Sequence, residues 1–212
     1  MFELCLVTDE KLCLGKSLFL VVRQAAEGGV TMVQLREKEI NTKEFIEKAL
    51  RIKEILKPYK IPLIINDRVD VALAVKADGV HVGQNDMPFE LLRKIIPENM
   101  IIGLSVETIE QAMKAESFKV DYLGVSPVFT TLTKTDMSNY WGIAGLKTLR
   151  SLTKHKLIAI GGINKSNVQE VIQAGADGVA VVSAICSAEE PKEASFELLS
   201  IISNVTQKKI RK

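Results

Sequence analysis

Lys76-Ala-Asp-Gly-Val-His-Val-Gly83 returns twice along the chain, as Lys119-Val-Asp-Tyr-Leu-Gly-Val125 and as Gly175-Ala-Asp-Gly-Val-Ala-Val181. Each copy places an aspartate just ahead of a short apolar run, the position of a turn that leads into a strand. Repetition of such a unit points to repeated strand and helix pairs. Outward from these three copies, five more short runs read the same way. The full set of expected strands is Glu3 to Thr8, Thr31 to Arg36, Pro62 to Asn66, Gly79 to Gly83, Met100 to Val106, Tyr122 to Val128, Lys156 to Gly161 and Gly178 to Ala184. Segments of helical period fill the gaps. The clearest runs from about Thr42 to Leu56, with Phe45, Ile46, Ala49, Ile52 and Leu56 on one face and Thr42 as the expected N-cap. Strands alternating with crossover helices give an α/β fold, a single-domain (βα)8 TIM barrel spanning residues 1–212. An open doubly wound sheet is the alternative architecture. The basic end of the chain, 207–212, reads as a frayed tail.

The chain has 212 residues, 47% apolar and 25% charged, a balance that supports a full core and excludes disorder as the main state. Lysine and arginine number 28 against 26 aspartates and glutamates, leaving +2. So small a charge gives no field suited to nucleic acid or an anionic membrane, and any bound anion must be held by local groups. Cys5, Cys13 and Cys186 are odd in number and form no CxxC, so neither a disulfide framework nor a zinc site is expected. The apolar stretch Leu4 to Val7 lies between Glu3 and Asp9 with no basic region before it, unlike a signal peptide. The expected compartment is the cytoplasm.

In such a barrel the N-terminal ends of the strands serve stability and the C-terminal ends carry chemistry. Asp78, Asp121 and Asp177 therefore read as turn formers. At the other ends stands a distinctive polar set. Gln34, Arg36 and Lys38 alternate off the second strand and converge on the barrel mouth, although a solvated charge cluster would look similar. Asp67 and Asp86 follow neighbouring strands with no His or Cys arrangement beside them, which suits a hard cation such as Mg2+. Their structural alternatives are an Asp67–Arg68 pair and an Asp86 cap on a helix beginning near Pro88. Ser105 ends the fifth strand. Thr131, Thr133 and Lys134 have a phosphate-binding composition in a long connection that reaches Tyr140 and Trp141. Gly161 and Gly162 after strand seven, with backbone at Val182 and Ser183 after strand eight, fit the phosphate site of many such barrels; a tight packing turn is the alternative. His81 either lines the pocket floor or is a satisfied core histidine.

Taken together, LVTD at Leu6 to Asp9, GGVTMVQLREK at Gly28 to Lys38, IINDRVDVAL at Ile64 to Leu73 and ADGVHVGQNDMP at Ala77 to Pro88 resemble the thiamine phosphate synthase family, also called thiamine-phosphate pyrophosphorylases. IIGLS at Ile101 to Ser105, SPVFTTLTK at Ser126 to Lys134, AIGGIN at Ala159 to Asn164 and GADGVAVVSAI at Gly175 to Ile185 extend the likeness over almost the whole chain. The resemblance implies a transferase that joins a hydroxymethylpyrimidine pyrophosphate to a thiazole phosphate, releasing pyrophosphate, with Mg2+ as cofactor. It implies that Arg36, Lys38, Asn66, Ser105 and Lys134 hold the pyrophosphate, and that Asp67 and Asp86 hold Mg2+. Gln34, His81 and Gly83 would border the pyrimidine. Thr131 and Thr133, with backbone at Gly162, Val182 and Ser183, would receive the thiazole phosphate.

Three positions depart from the family pattern: Leu4 where many relatives carry a tyrosine facing the pyrimidine, Ser126 for a usual glycine, and Thr130 for proline or alanine. A thiazole tautomerase of the same superfamily and a non-catalytic thiazole or thiamine phosphate-binding barrel are the competing readings. Asn66, Asp67, Asp86 and the Thr-Leu-Thr-Lys loop favour the synthase. The expected partners are small-molecule substrates, with no nucleic acid or membrane, and a homo-oligomer is compatible with the sequence.

Overall fold

A computed structural model describes residues 2–130 and 140–210. Eight strands, β1 (Leu4–Val7), β2 (Met32–Leu35), β3 (Leu63–Asn66), β4 (Gly79–Val82), β5 (Ile101–Val106), β6 (Tyr122–Val125), β7 (Leu157–Ile160) and β8 (Gly178–Val181), close in sequence order into a barrel. Every neighbouring pair is parallel, β8 returning to β1. Each expected strand is present, shortened by a residue or more at most of its ends. Closure decides against the open sheet and leaves no exposed sheet edge.

Between the strands stand α1 (Leu18–Glu27), α2 (Thr42–Leu56), α3 (Val69–Ala74), α4 (Phe89–Ile95), α5 (Ile109–Ala115), α6 (Gly142–Leu152) and α7 (Val168–Gln173). A short α8 (Ser183–Cys186) and a long α9 (Pro191–Ile210) follow β8, and α9 packs against α1 and α7. The bounds of α2 match the hydropathy pattern. Its N-cap, however, is Asn41, whose side chain accepts from the Glu44 amide at 3.0 Å, and Thr42 is the first helical residue. Residues 207–210, expected to fray, continue α9.

Side-chain alternation divides each strand between two cores. Leu4, Leu6, Val33, Leu35, Leu63 and Ile65 face the helices, while Cys5, Val7, Met32, Ile64, Tyr122, Ile158 and Ala180 fill the barrel interior. Leu4 is thus fully buried against the helices, away from the cavity, and does not face the pyrimidine as expected: the residue beside it that looks inward is Cys5, followed along β1 by Val7.

The repeated aspartates have one shared task. Asp78, Asp121 and Asp177 each donate their backbone N–H to the preceding odd-numbered strand, to Leu63, Ile102 and Leu157, at 2.8–3.0 Å. Each carboxylate also accepts the amide of that same residue, at 2.9, 2.8 and 2.9 Å. Thr31 repeats the device ahead of β2, with its hydroxyl accepting from the Leu4 amide at 3.0 Å. Four clips therefore tie β2, β4, β6 and β8 to the strands before them, at the end of the barrel opposite the polar residues. Buried amides that would otherwise lack a partner are satisfied there.

Candidate active site

At the C-terminal ends of the strands the inward rows turn from apolar to polar. Met32 gives way to Gln34 and Arg36, Ile64 to Asn66, and Ile101 to Gly103 and Ser105. The cavity they open into is lined by Gln34, Arg36, Asn66, His81, Ser105, Gly162, Val182 and Ser183 among the expected residues. Sequence reasoning missed Cys5, Asp9, Tyr122, Ser126, Ile158 and Ile160, which line it too.

Alternation along β2 is enforced by ion pairs. Glu37 pairs with Lys48 of α2 at 2.6 Å, and Lys48 also reaches Glu10 at 2.6 Å, so Glu37 is held toward the helix layer. Arg36 and Lys38 then fall on the mouth side. The Arg36 guanidinium stands 3.8 Å from the Asp9 carboxylate, and its backbone N–H is held by the Thr8 hydroxyl at 3.1 Å. Lys38 pairs with Asp67. Neither structural alternative for the aspartates occurs. Arg68 turns instead to Asp70 at 2.6 Å, and the helix near Pro88 has no side-chain cap. Asp67 itself occupies the left-handed region at φ 62°, with its N–H on the His81 carbonyl at 2.8 Å.

Asp86 folds back onto the Gly83 amide at 2.7 Å. Gly83 thereby serves Asp86 and does not line the cavity, a change from its expected place beside the pyrimidine. Asp86 neighbours the Asp67 carboxylate and the Lys38 ammonium. Burial first, and then the neighbouring Asp67 carboxylate, raise its pKa above the ordinary range. Two carboxylates facing one another beside the Lys38 ammonium form an all-oxygen donor pair that suits a hard divalent cation. Among the described residues no group of three or more His, Cys, Asp or Glu could hold a metal ion, so these two would supply only part of a coordination shell. Substrate phosphates and water complete such shells around Mg2+.

His81 is both a pocket residue and a satisfied one: Nε2 lies 2.8 Å from Ser105 Oγ and Nδ1 lies 3.0 Å from the Tyr122 hydroxyl. The Gln84 side chain bonds the Ser105 carbonyl at 2.6 Å. Gly161 and Gly162 have φ of 106° and 66°, and a Cβ on either would strike Pro127, Phe129 or Thr130 within 3 Å. Their turn is therefore required by packing against the segment after β6, and it also exposes backbone to the cavity. Val182 and Ser183 stand where β8 enters α8. Thr131, Thr133 and Lys134 lie outside the described residues. No described helix is long and apolar enough to cross a membrane.

Residues 4–185 match the family model described as thiamine monophosphate synthase. A thiamine-phosphate synthase of Albidiferax ferrireducens is 52% identical over 203 residues, covering 96% of this chain and 93% of that one. Another from Vibrio campbellii is 53% identical over 201 residues, covering 95% and 98%. The solved thiamine phosphate pyrophosphorylase of Pyrococcus furiosus superposes with a TM-score of 0.89 at 41% identity, over 96% of each chain.

Proposed function

The chain belongs to the thiamine monophosphate synthase family, and from that premise we propose how its cavity works. The activity is the transfer of 4-amino-2-methyl-5-hydroxymethylpyrimidine from its pyrophosphate to 4-methyl-5-(2-hydroxyethyl)thiazole phosphate, giving thiamine phosphate and pyrophosphate. A single observation supports the assignment of roles: the Asp67 and Asp86 carboxylates neighbour each other and Lys38, and Asp67 directly follows Asn66, which lines a pocket together with Arg36 and Ser105. Cations and hydroxyls gathered at one side of a pocket suit a reaction whose demand is a stabilised leaving anion.

In this reading Arg36, Lys38, Asn66 and Ser105 receive the pyrophosphate. Asp9 keeps the Arg36 guanidinium aimed, which removes a reorganisation cost from the moment of bond cleavage. Gln34 and His81 border the pyrimidine, while backbone at Gly162, Val182 and Ser183, with Thr131 and Thr133, takes the thiazole phosphate. Holding both substrates in one cavity brings the ring nitrogen and the reacting carbon together. Lys134 adds a further positive charge. Asp67 and Asp86 would hold Mg2+, which when bound neutralises charge on the departing pyrophosphate. No general base is required, since the thiazole nitrogen captures a pyrimidine-stabilised cation.

Alanine at Arg36, Lys38 or Lys134 should lower turnover about 10²–10³-fold while thiazole phosphate still binds, the scale for removing a preorganised charge partner. Asp67→Asn and Asp86→Asn should weaken Mg2+ binding in a calorimetric titration with the pyrimidine substrate present. Turnover within twofold of the parent for any of the three cation variants would remove that residue from the mechanism. Unchanged Mg2+ affinity in both aspartate variants would remove the metal assignment.

A further inference from the structure

Tyr122 has no assigned role, yet it places a hydroxyl at the heart of the barrel. Register explains how. Gly103 of β5 lies level with His81 of β4 on one side and with Tyr122 of β6 on the other. Having no side chain, it lets the two rings meet across it. A Cβ there would stand 2.2 Å from Tyr122 Cζ and 2.3 Å from His81 Nδ1, and one on Gly124 would stand 2.8 Å from His81 Cε1. The rings lie 5.5 Å apart, centroid to centroid, at 28°.

We propose that Tyr122 and His81 form a one-way hydrogen-bond relay that fixes the Ser105 hydroxyl as a donor into the cavity. The inference rests on the reading of Ser105 as a pyrophosphate ligand and adds the groups that give it direction. A neutral imidazole has one donor and one acceptor nitrogen, so the bond at Nδ1 decides what Nε2 does. Tyr122 is 2% exposed, and burial raises its pKa well above the ordinary value, so its proton stays in place. A buried hydroxyl proton needs an acceptor, and His81 Nδ1 stands 3.0 Å away, so the single phenolic proton goes there. Nε2 then carries the imidazole proton and donates it to Ser105 Oγ at 2.8 Å. The seryl proton is left for a ligand, and the position accepts an anionic oxygen in preference to an ammonium or amide N–H. Tyr122 and His81 are positioning residues in this scheme, since both act through Ser105.

The tautomer is read directly. The chain has two histidines, His81 and His155. Nitrogen-15 NMR of histidine-labelled protein, with His155→Gln for assignment, should show His81 protonated at Nε2 and bare at Nδ1. A proton on Nδ1 in the parent would overturn the relay, and this needs no variant at the site. Tyr122→Phe should bring in the second tautomer and lower kcat about three- to tenfold, the scale of one hydrogen bond, with KM for the pyrimidine substrate within twofold. In a Ser105→Ala background the same change should cost nothing more. A loss that multiplies in the double variant would show that Tyr122 acts independently of Ser105 and would overturn the relay. Parent-like turnover in Ser105→Ala alone would overturn the underlying reading of Ser105, whatever the tautomer.

Discussion

Removing one clip at the stability end of the barrel separates folding from chemistry. Asp78→Ala deletes the carboxylate that accepts the Leu63 amide at 2.9 Å, and Leu63 is fully buried. An amide left without a partner costs about 1–3 kcal/mol, and a net hydrogen bond is worth about 0.5–1.5 kcal/mol. Asp78 is itself exposed, so water can partly replace it and the lower half of that range applies, about 1–2 kcal/mol. At about 2–4 °C per kcal/mol for a chain of this size, Tm should fall by about 2–8 °C. Asp78→Asn, which keeps an acceptor oxygen, should recover most of the loss. Circular dichroism melts give Tm, and urea unfolding should show a lower midpoint at unchanged slope. Because the clip lies at the end of the barrel away from the cavity, kcat/KM of the folded variant should stay within about twofold of the parent at 25 °C. An unchanged Tm, or equal losses in Asn and Ala, would refute the clip as a stabilising contact. Lost activity at parental Tm would refute the division of the barrel into two faces.

Three further outcomes follow from particular contacts. Gly103→Ala should cost about 1–3 kcal/mol by overpacking against Tyr122 and His81, seen as a lower Tm, and should lower kcat as well; a parental melt would contradict the crowding described. Burial pushes the Cys5 thiol up to about 12, so at pH 8 only about one part in ten thousand is thiolate. Mass spectrometry after iodoacetamide treatment of the native protein should find Cys5 unmodified, and rapid labelling would show that the cavity floor is open to solvent and more polar than its lining implies. Asp9→Asn removes the charge that aims Arg36 and should raise KM for the pyrimidine pyrophosphate about three- to tenfold with thiazole phosphate KM unchanged, as steady-state kinetics would show. Equal effects on both substrates would place Asp9 elsewhere in the mechanism.

The barrel was legible because its signal is repeated: short apolar runs, each followed by a helical segment, with an aspartate marking three of the clips. Thr31, the fourth, escaped notice because a hydroxyl does the work of a carboxylate there. Strand direction toward the mouth was readable for Gln34 and Arg36, where polar residues alternate with apolar ones. It is unreadable in Leu-Cys-Leu-Val, because a strand buried on both faces shows no alternation, and nothing in the pattern could check the inward place that the family resemblance gives Leu4 against its neighbour Cys5. Asp67 and Asp86 were visible as carboxylates at neighbouring strand ends. Their meeting depends on the left-handed turn at Asp67 and on the Gly83 amide, neither of which spacing reveals. Tyr122 looked like one more strand aromatic. Its partner His81 sits two strands away, and only the intervening Gly103 makes them neighbours.

The most direct test of the central claim is to incubate purified protein with the pyrimidine pyrophosphate and the thiazole phosphate, with and without Mg2+, and follow thiamine phosphate and pyrophosphate together. Equal amounts of both, formed only with Mg2+, are the expected result. A folded protein that binds thiazole phosphate but releases neither product would contradict it.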